Sequence, residues 1–145
     1  MRHTVRQTDY AALAELRYQI RRFLNRADQA AHLAGLEPQQ YQVLLALRAL
    51  PSGEAATIGT LATRLLLRHH SVVELVDRLA VRRYVRRTRG LADRRQVIVR
   101  LLPRGNRALQ SVARARLEEL RSGGRELVRA LSGVLRSSRG KERQS

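Results

Sequence analysis

Cysteine is absent from this chain, which excludes disulfides, thiolate-bound zinc and thiol redox sensing. Long apolar runs are absent too: nowhere do about 18 apolar residues stand together, as a membrane-spanning helix requires. The opening stretch, Met1 to Asp9, is polar and basic and lacks the apolar centre of a signal peptide, so a soluble cytoplasmic protein is expected. There is no phosphate-cradling glycine loop and no convincing nucleophile–base pair, so neither catalysis nor a cofactor is expected. Acidic residues are scarce, 12 against 29 lysines and arginines, and only Lys141 is a lysine. Base composition of a genome can favour arginine over lysine, but it does not explain the shortage of acids. A formal charge of +17 implies a polyanionic partner, and nucleic acid is favoured.

The 145 residues suit one compact domain or one small domain with helical extensions. Large apolar residues at Tyr10, Leu13, Leu16, Ile20, Phe23 and Leu24 keep the three-four spacing of one helical stripe, predicting a helix over Tyr10 to Ala34 that Gly35 breaks. Pro38 fits the first turn of a second helix carrying Tyr41, Leu44, Leu45 and Leu47, and Pro51-Ser52-Gly53 ends it. Thr57 is placed to cap a short third helix, Ile58 to Leu65. A fourth, near His70 to Leu79, turns Val72, Leu75, Val76 and Leu79 inward. Two short helices with a brief joint read as a helix-turn-helix. The period then changes to that of strands over Tyr84 to Thr88 and Gln96 to Leu101, joined by the basic tip Arg89 to Arg95. A hairpin directly after a helix-turn-helix is a wing. Pro103 opens a long helix, Gly123 and Gly124 interrupt it, and a last helix carries Leu127, Val128, Leu131, Val134 and Leu135.

The expected fold is therefore mainly α with a small β-hairpin wing. Residues 1–36 form an N-terminal dimerisation helix, 37–102 the winged helix-turn-helix lobe, 103–136 C-terminal dimerisation helices, and 137–145 a disordered basic tail. The dimer is inferred because the first, fifth and sixth helices each carry an apolar stripe that one small lobe cannot cover. A two-fold pair with interdigitated chain ends is the simplest cover.

Leu61-Ala62-Thr63-Arg64-Leu65, the helix ending Leu75-Val76-Asp77-Arg78-Leu79, Asp93-Arg94-Arg95 and Leu101 to Gly105 together resemble the multiple antibiotic resistance regulator (MarR) family. The resemblance runs from about Asp9 to Arg136. It implies a homodimeric, ligand-responsive repressor whose two winged lobes read adjacent major grooves of a palindromic operator. It also implies a small-molecule pocket between dimerisation helices and DNA lobe, with effector and lining residues unassigned. Arg95 is then the residue that enters the minor groove, with Asp93 orienting either that arginine or the wing backbone. Three positions depart from the family pattern: Arg83 and Leu66 stand where glycine is usual, and Leu102 stands in place of a capping threonine.

A recognition helix reads bases with its N-terminal half, where free amides and the helix dipole also favour phosphate. That assigns Arg68 to phosphate and His69, His70 and Ser71 to bases or phosphate. Val73 could touch a thymine methyl and Glu74 a cytosine amino group, although Glu74 stands four residues before Arg78 and an intrahelical pair is the stronger expectation. Arg78 could meet phosphate. From Arg64 to Arg95 ten arginines face only Glu74, Asp77 and Asp93, a bias that suits a phosphate-facing surface. Arg86, Arg87 and Arg89 flank the wing, and Arg94 and Arg95 sit at its tip, where a narrow minor groove concentrates negative potential. His70, Glu74 and Asp77 share a helical face but lack a fourth ligand, and His3 and His32 are isolated, so no metal is expected. The alternative is an architectural or non-specific nucleic-acid-binding protein that uses the same charge without reading sequence.

Overall fold

The computed structural model describes residues 4–139. They form α1 (Gln7–Leu33), α2 (Pro38–Ala49), α3 (Ile58–Leu65), α4 (His69–Val81), β1 (Val85–Arg89), β2 (Val97–Leu101), α5 (Pro103–Gly123) and α6 (Arg125–Arg139). This is the expected helical chain with one hairpin, a winged helix-turn-helix extended at both ends. Residues 30–114 form one compact unit, and residues 4–29 with 115–139 form another.

Several boundaries differ from those the apolar spacing suggests, each for a local reason. α1 starts at Gln7 because the Arg6 amide donates to Asp9 Oδ2 at 2.9 Å, a reach-back that satisfies a first-turn donor. β1 starts at Val85 because the Tyr84 N–H is already committed to the Leu79 carbonyl at 3.0 Å. α6 continues through 139, so the first three residues of the tail expected over 137–145 are helical, and the rest lie outside the described residues.

In the unit 30–114, the core gathers Leu36, Val43, Leu44, Leu61, Val72, Val76, Leu79, Val85, Val99, Leu109 and Val112. All four residues expected to line the inner face of α4 are buried. The strands pair antiparallel from Val85 with Leu101 to Arg89 with Val97. The far edge of β2 is held by a bridge between Ile98 and Thr57 and by the Val99 amide donating to Ala56 at 2.8 Å. The Thr60 amide donates to Thr57 Oγ1 at 3.1 Å, which makes Thr57 the N-cap of α3.

The other unit is built differently. Among its described residues the buried ones are Gln19, Arg116 and Ala130 alone. Arg116 is ion-paired with Glu119, stacks 4.4 Å above the Phe23 ring and donates to the Phe23 carbonyl at 3.3 Å. Those partners offset the cost of burying its charge. Arg26 joins the same carboxylate at 3.3 Å. Tyr10, Leu13, Tyr18 and Leu24 of α1, Leu117 of α5, and Val128, Leu131 and Leu135 of α6 all stay exposed.

Candidate nucleic-acid interface

α4 begins without a side-chain cap, since Arg68 occupies the N-cap position in extended conformation and makes no capping bond. The first-turn amides are thus open at the end of the helix where the dipole is positive. Arg68, His69 and His70 are exposed around that end, and Ser71 is half buried. One turn on, Glu74 is exposed, whereas Val73 is half buried and packs against the core. The expected Glu74–Arg78 pair does not form: Arg78 reaches Glu37 at 3.8 Å instead. Glu74 is thereby left without an ion pair among the described residues.

The opposite end of α4 is pinned. Arg82 donates to Gln40 Oε1 at 3.3 Å and to the Tyr84 hydroxyl at 2.9 Å, with its guanidinium 4.4 Å above the Tyr84 ring. Gln40 Oε1 also accepts from the Glu37 amide at 3.1 Å. One buried amide side chain therefore ties the start of α2 to the end of α4. These residues escaped the sequence reading, because no short-range pattern marks Gln40 as the partner of a residue 42 positions away.

The wing is organised by backbone. The Gly90 amide donates to the Gln96 carbonyl at 3.0 Å, the Gln96 amide donates to Asp93 at 3.2 Å, and Asp93 Oδ1 accepts from the Arg95 amide at 2.9 Å. Asp93 thus shapes the turn that carries Arg95, an Asx-type closure. A side chain at residue 90 would bring its Cβ to 2.6 Å from the Asp93 carbonyl oxygen, so glycine is required there. Arg89 donates across the tip to the Arg94 carbonyl at 3.1 Å. The guanidiniums of Arg94 and Arg95 are exposed and bind no protein group among the described residues. At the root, Arg87 is ion-paired with Asp77 of α4, fixing the strand against the helix. Asp77 is therefore engaged with a cation, and no cluster of metal-ligating side chains occurs among the described residues.

The result is a basic face with two projections from one unit: the open N-terminus of α4 and the arginine tip of the hairpin. Residues 34–96 match the family model described as the MarR family. Over 65 residues, 45% of this chain, the sequence is 40% identical to YsmB of Bacillus subtilis (strain 168), an uncharacterised HTH-type transcriptional regulator; the match spans 44% of that relative. Over this stretch, less than half of its length, the chain is similar to the MarR family. Solved structures carry the likeness in fold across nearly the whole chain. AbsC, a MarR family transcriptional regulator from Streptomyces coelicolor, superposes with a TM-score of 0.74 at 20% identity, covering 97% of this chain and 100% of its own. A variant of MepR from S. aureus bound to an oligodeoxyribonucleotide gives 0.65 at 18% identity, covering 88% of this chain and 96% of its own.

Against that MarR pattern, two of the departures have a backbone meaning. Leu66 at φ 55° and Arg83 at φ 59° are the non-glycine residues with positive φ among those described. Both close helices in the same way. The Leu66 and Leu67 amides return to Thr63 and Ala62, and the Arg83 and Tyr84 amides return to Ala80 and Leu79. Gly35, at φ 75°, ends α1 with the same pair of bonds to His32 and Ala31. That closure needs a left-handed residue, normally glycine. Leucine and arginine accept a penalty of roughly 1–2 kcal/mol there.

Proposed function

We propose that the protein is a homodimeric, sequence-specific DNA-binding transcriptional repressor, acting in the cytoplasm on a palindromic operator and responsive to a small molecule. The observation that carries this reading is the pairing, on one compact unit, of an uncapped α4 N-terminus with an arginine-tipped hairpin. A helix end of that kind attracts phosphate and can present side chains to base edges. The hairpin tip then enters the adjacent minor groove.

In this reading Arg68 contacts phosphate, and His69, His70 and Ser71 contact bases or phosphate. Glu74, free of an ion pair, accepts from a cytosine amino group, and Arg78 meets phosphate from beyond its contact with Glu37. Val73 contributes at most a thymine methyl contact, because its side chain packs partly into the core. Arg86 and Arg89 line the backbone path, Arg94 and Arg95 occupy the minor groove, and Asp93 holds the turn that presents Arg95.

The second copy is supported by the unit of residues 4–29 and 115–139, which buries little besides Arg116, Gln19 and Ala130 while nine large apolar side chains of its helices stay exposed, among them Val128 at 64%. So extensive an apolar surface needs a partner. The proposed partition is dimerisation helices over 1–36 and 103–136 around a DNA lobe over 37–102. An effector acts by favouring the arrangement whose two α4 helices are wrongly spaced for DNA.

The test is a footprint on upstream DNA in the presence of excess competitor, combined with affinity measured against salt. A protected palindrome, with log affinity falling steeply as log salt rises, is the expected result. Binding that competitor abolishes equally at every sequence would favour an architectural protein and sink the operator reading. Deleting residues 125–145 is expected to weaken dimerisation; a truncated protein still dimeric at nanomolar concentration would remove the interdigitated helices.

A further inference from the structure

Beyond its last ladder pair, Arg89 with Val97, the hairpin continues as a loop closed by the bond from the Gly90 amide to the Gln96 carbonyl at 3.0 Å. Residues 91–95 lie outside that closure, and all of them are exposed. Ala92 is small, and Asp93, Arg94 and Arg95 are charged. The remaining one is Leu91, whose 103% exposure is the highest of any large apolar residue among those described.

Single exposed leucines are ordinary on protein surfaces, so exposure alone assigns nothing. The place of this one does. Leu91 takes no part in the core. The turn is held without it, by Gly90 pressed against the Asp93 carbonyl and by the Asp93 carboxylate accepting from the Arg95 amide. Leu91 stands four residues from Arg95, a step of about 14 Å at most when fully extended. The Gly90–Gln96 bond draws the two closer than that, because each is next to one of its ends. A minor groove is only about 6 Å wide and 7.5 Å deep, and deoxyribose carbons line its walls. A tip that lowers Arg94 or Arg95 between those walls therefore carries Leu91 against one of them.

We propose that Leu91 is the apolar contact of the wing with double-stranded DNA, packing its methyl groups on the deoxyribose wall of the minor groove. The inference rests on the DNA-binding reading above and extends it from charge to apolar contact. The tip arginines are drawn by the negative potential of the groove, an attraction that weakens as salt rises. Leucine is drawn because its own surface and that of the sugars leave water together, which releases no counterions. Every nucleotide carries the same sugar, so this contact adds affinity and positions the wing without reading bases.

The experiment uses the full-length protein with Leu91→Ala, Leu91→Asn and Leu91→Met. It measures affinity across salt for the duplex protected in the footprint and for a scrambled one, together with thermal unfolding. If each protomer loses the burial of about one methylene, a Leu91→Ala dimer should bind both duplexes about tenfold more weakly. Leu91→Asn should lose at least as much, because it puts a polar amide in the same place. Leu91→Met keeps an apolar side chain of similar volume and should stay within about twofold of wild type. The slope of log affinity against log salt should be unchanged in all three, since no phosphate contact is removed. All three should melt within about 2 °C of wild type, as a fully exposed side chain supports nothing in the fold. Unchanged affinity in Leu91→Ala and Leu91→Asn overturns the apolar contact and leaves the regulator reading intact. Weaker binding with a smaller salt slope also overturns it, because the tip arginines would then have been displaced. Weakening confined to the footprinted duplex overturns it as well, since sugars do not distinguish sequences. If the wild type binds no duplex, the DNA-binding reading fails, and the contact fails with it.

Discussion

Replacing Gly105 by alanine should destabilise the protein, although simple helix propensity predicts the opposite. Gly105 lies in the first turn of α5 and is buried against the root of the wing. A Cβ there would lie 2.9 Å from the Tyr84 carbonyl carbon and 3.0 Å from its Cα, with the carbonyl oxygen nearer still. Both groups are backbone, so no side chain can swing aside. Relief requires α5 to retreat by about 1 Å, the kind of overpacking that costs about 1–3 kcal/mol. The retreat also stretches the bond from the Leu102 amide to the Tyr84 carbonyl, now 3.0 Å, a contact worth about 0.5–1.5 kcal/mol. Against these stands a gain of about 0.5–1 kcal/mol from replacing glycine within a helix. The balance is a loss of about 0.5–4 kcal/mol. Urea unfolding of the two proteins at equal protein concentration measures it as a lower midpoint with unchanged m-value. A variant as stable as the wild type, or more so, would refute the close approach of α5 to Tyr84.

Three further outcomes are expected. Arg95→Ala should weaken operator binding by about 1–3 kcal/mol while leaving the dimer intact; unchanged affinity in a titration would remove the wing-tip assignment. Leu66→Gly should raise stability by up to about 1 kcal/mol, because Leu66 holds φ 55° and is 91% exposed, so little packing is lost; a lower melting temperature would contradict this. The Asp9 carboxyl is lowered to about 2, first by the hydrogen bond from the Ser137 hydroxyl, then by the Arg6 amide and guanidinium. Its folded value lies below the unfolded one, so its stabilisation is present above about pH 4 and is lost as pH falls toward 2. Melting curves of wild type and Asp9→Asn should therefore differ at pH 5 and converge near pH 2, and a difference constant across that range would count against the clasp.

Some of the site was legible from residue order and some was not, for identifiable reasons. Thr57 as a cap and the inward face of α4 follow from bonding and periodicity within a few residues, and both hold. The pairing of Glu74 with Arg78 rested on the same kind of spacing, yet Glu37, distant in sequence, takes Arg78 instead. A rule about neighbours on one helix cannot see a competitor arriving from another. Val73 was placed toward DNA by its position on the helix, and packing draws it partly into the core.

Residue order alone determined the charge, the sequence of helices and hairpin, and the resemblance to the MarR family, because these depend on composition, period and local turn chemistry. It also marked residues 66 and 83 as unusual, but only as departures from glycine. The tertiary structure decided what those departures do. It gave both residues the left-handed backbone of a helix end. It also joined Gln40 to Arg82 and pressed Gly105 against Tyr84. These depend on where the chain meets itself in space, and that is fixed by the packing of the whole core rather than by any local pattern.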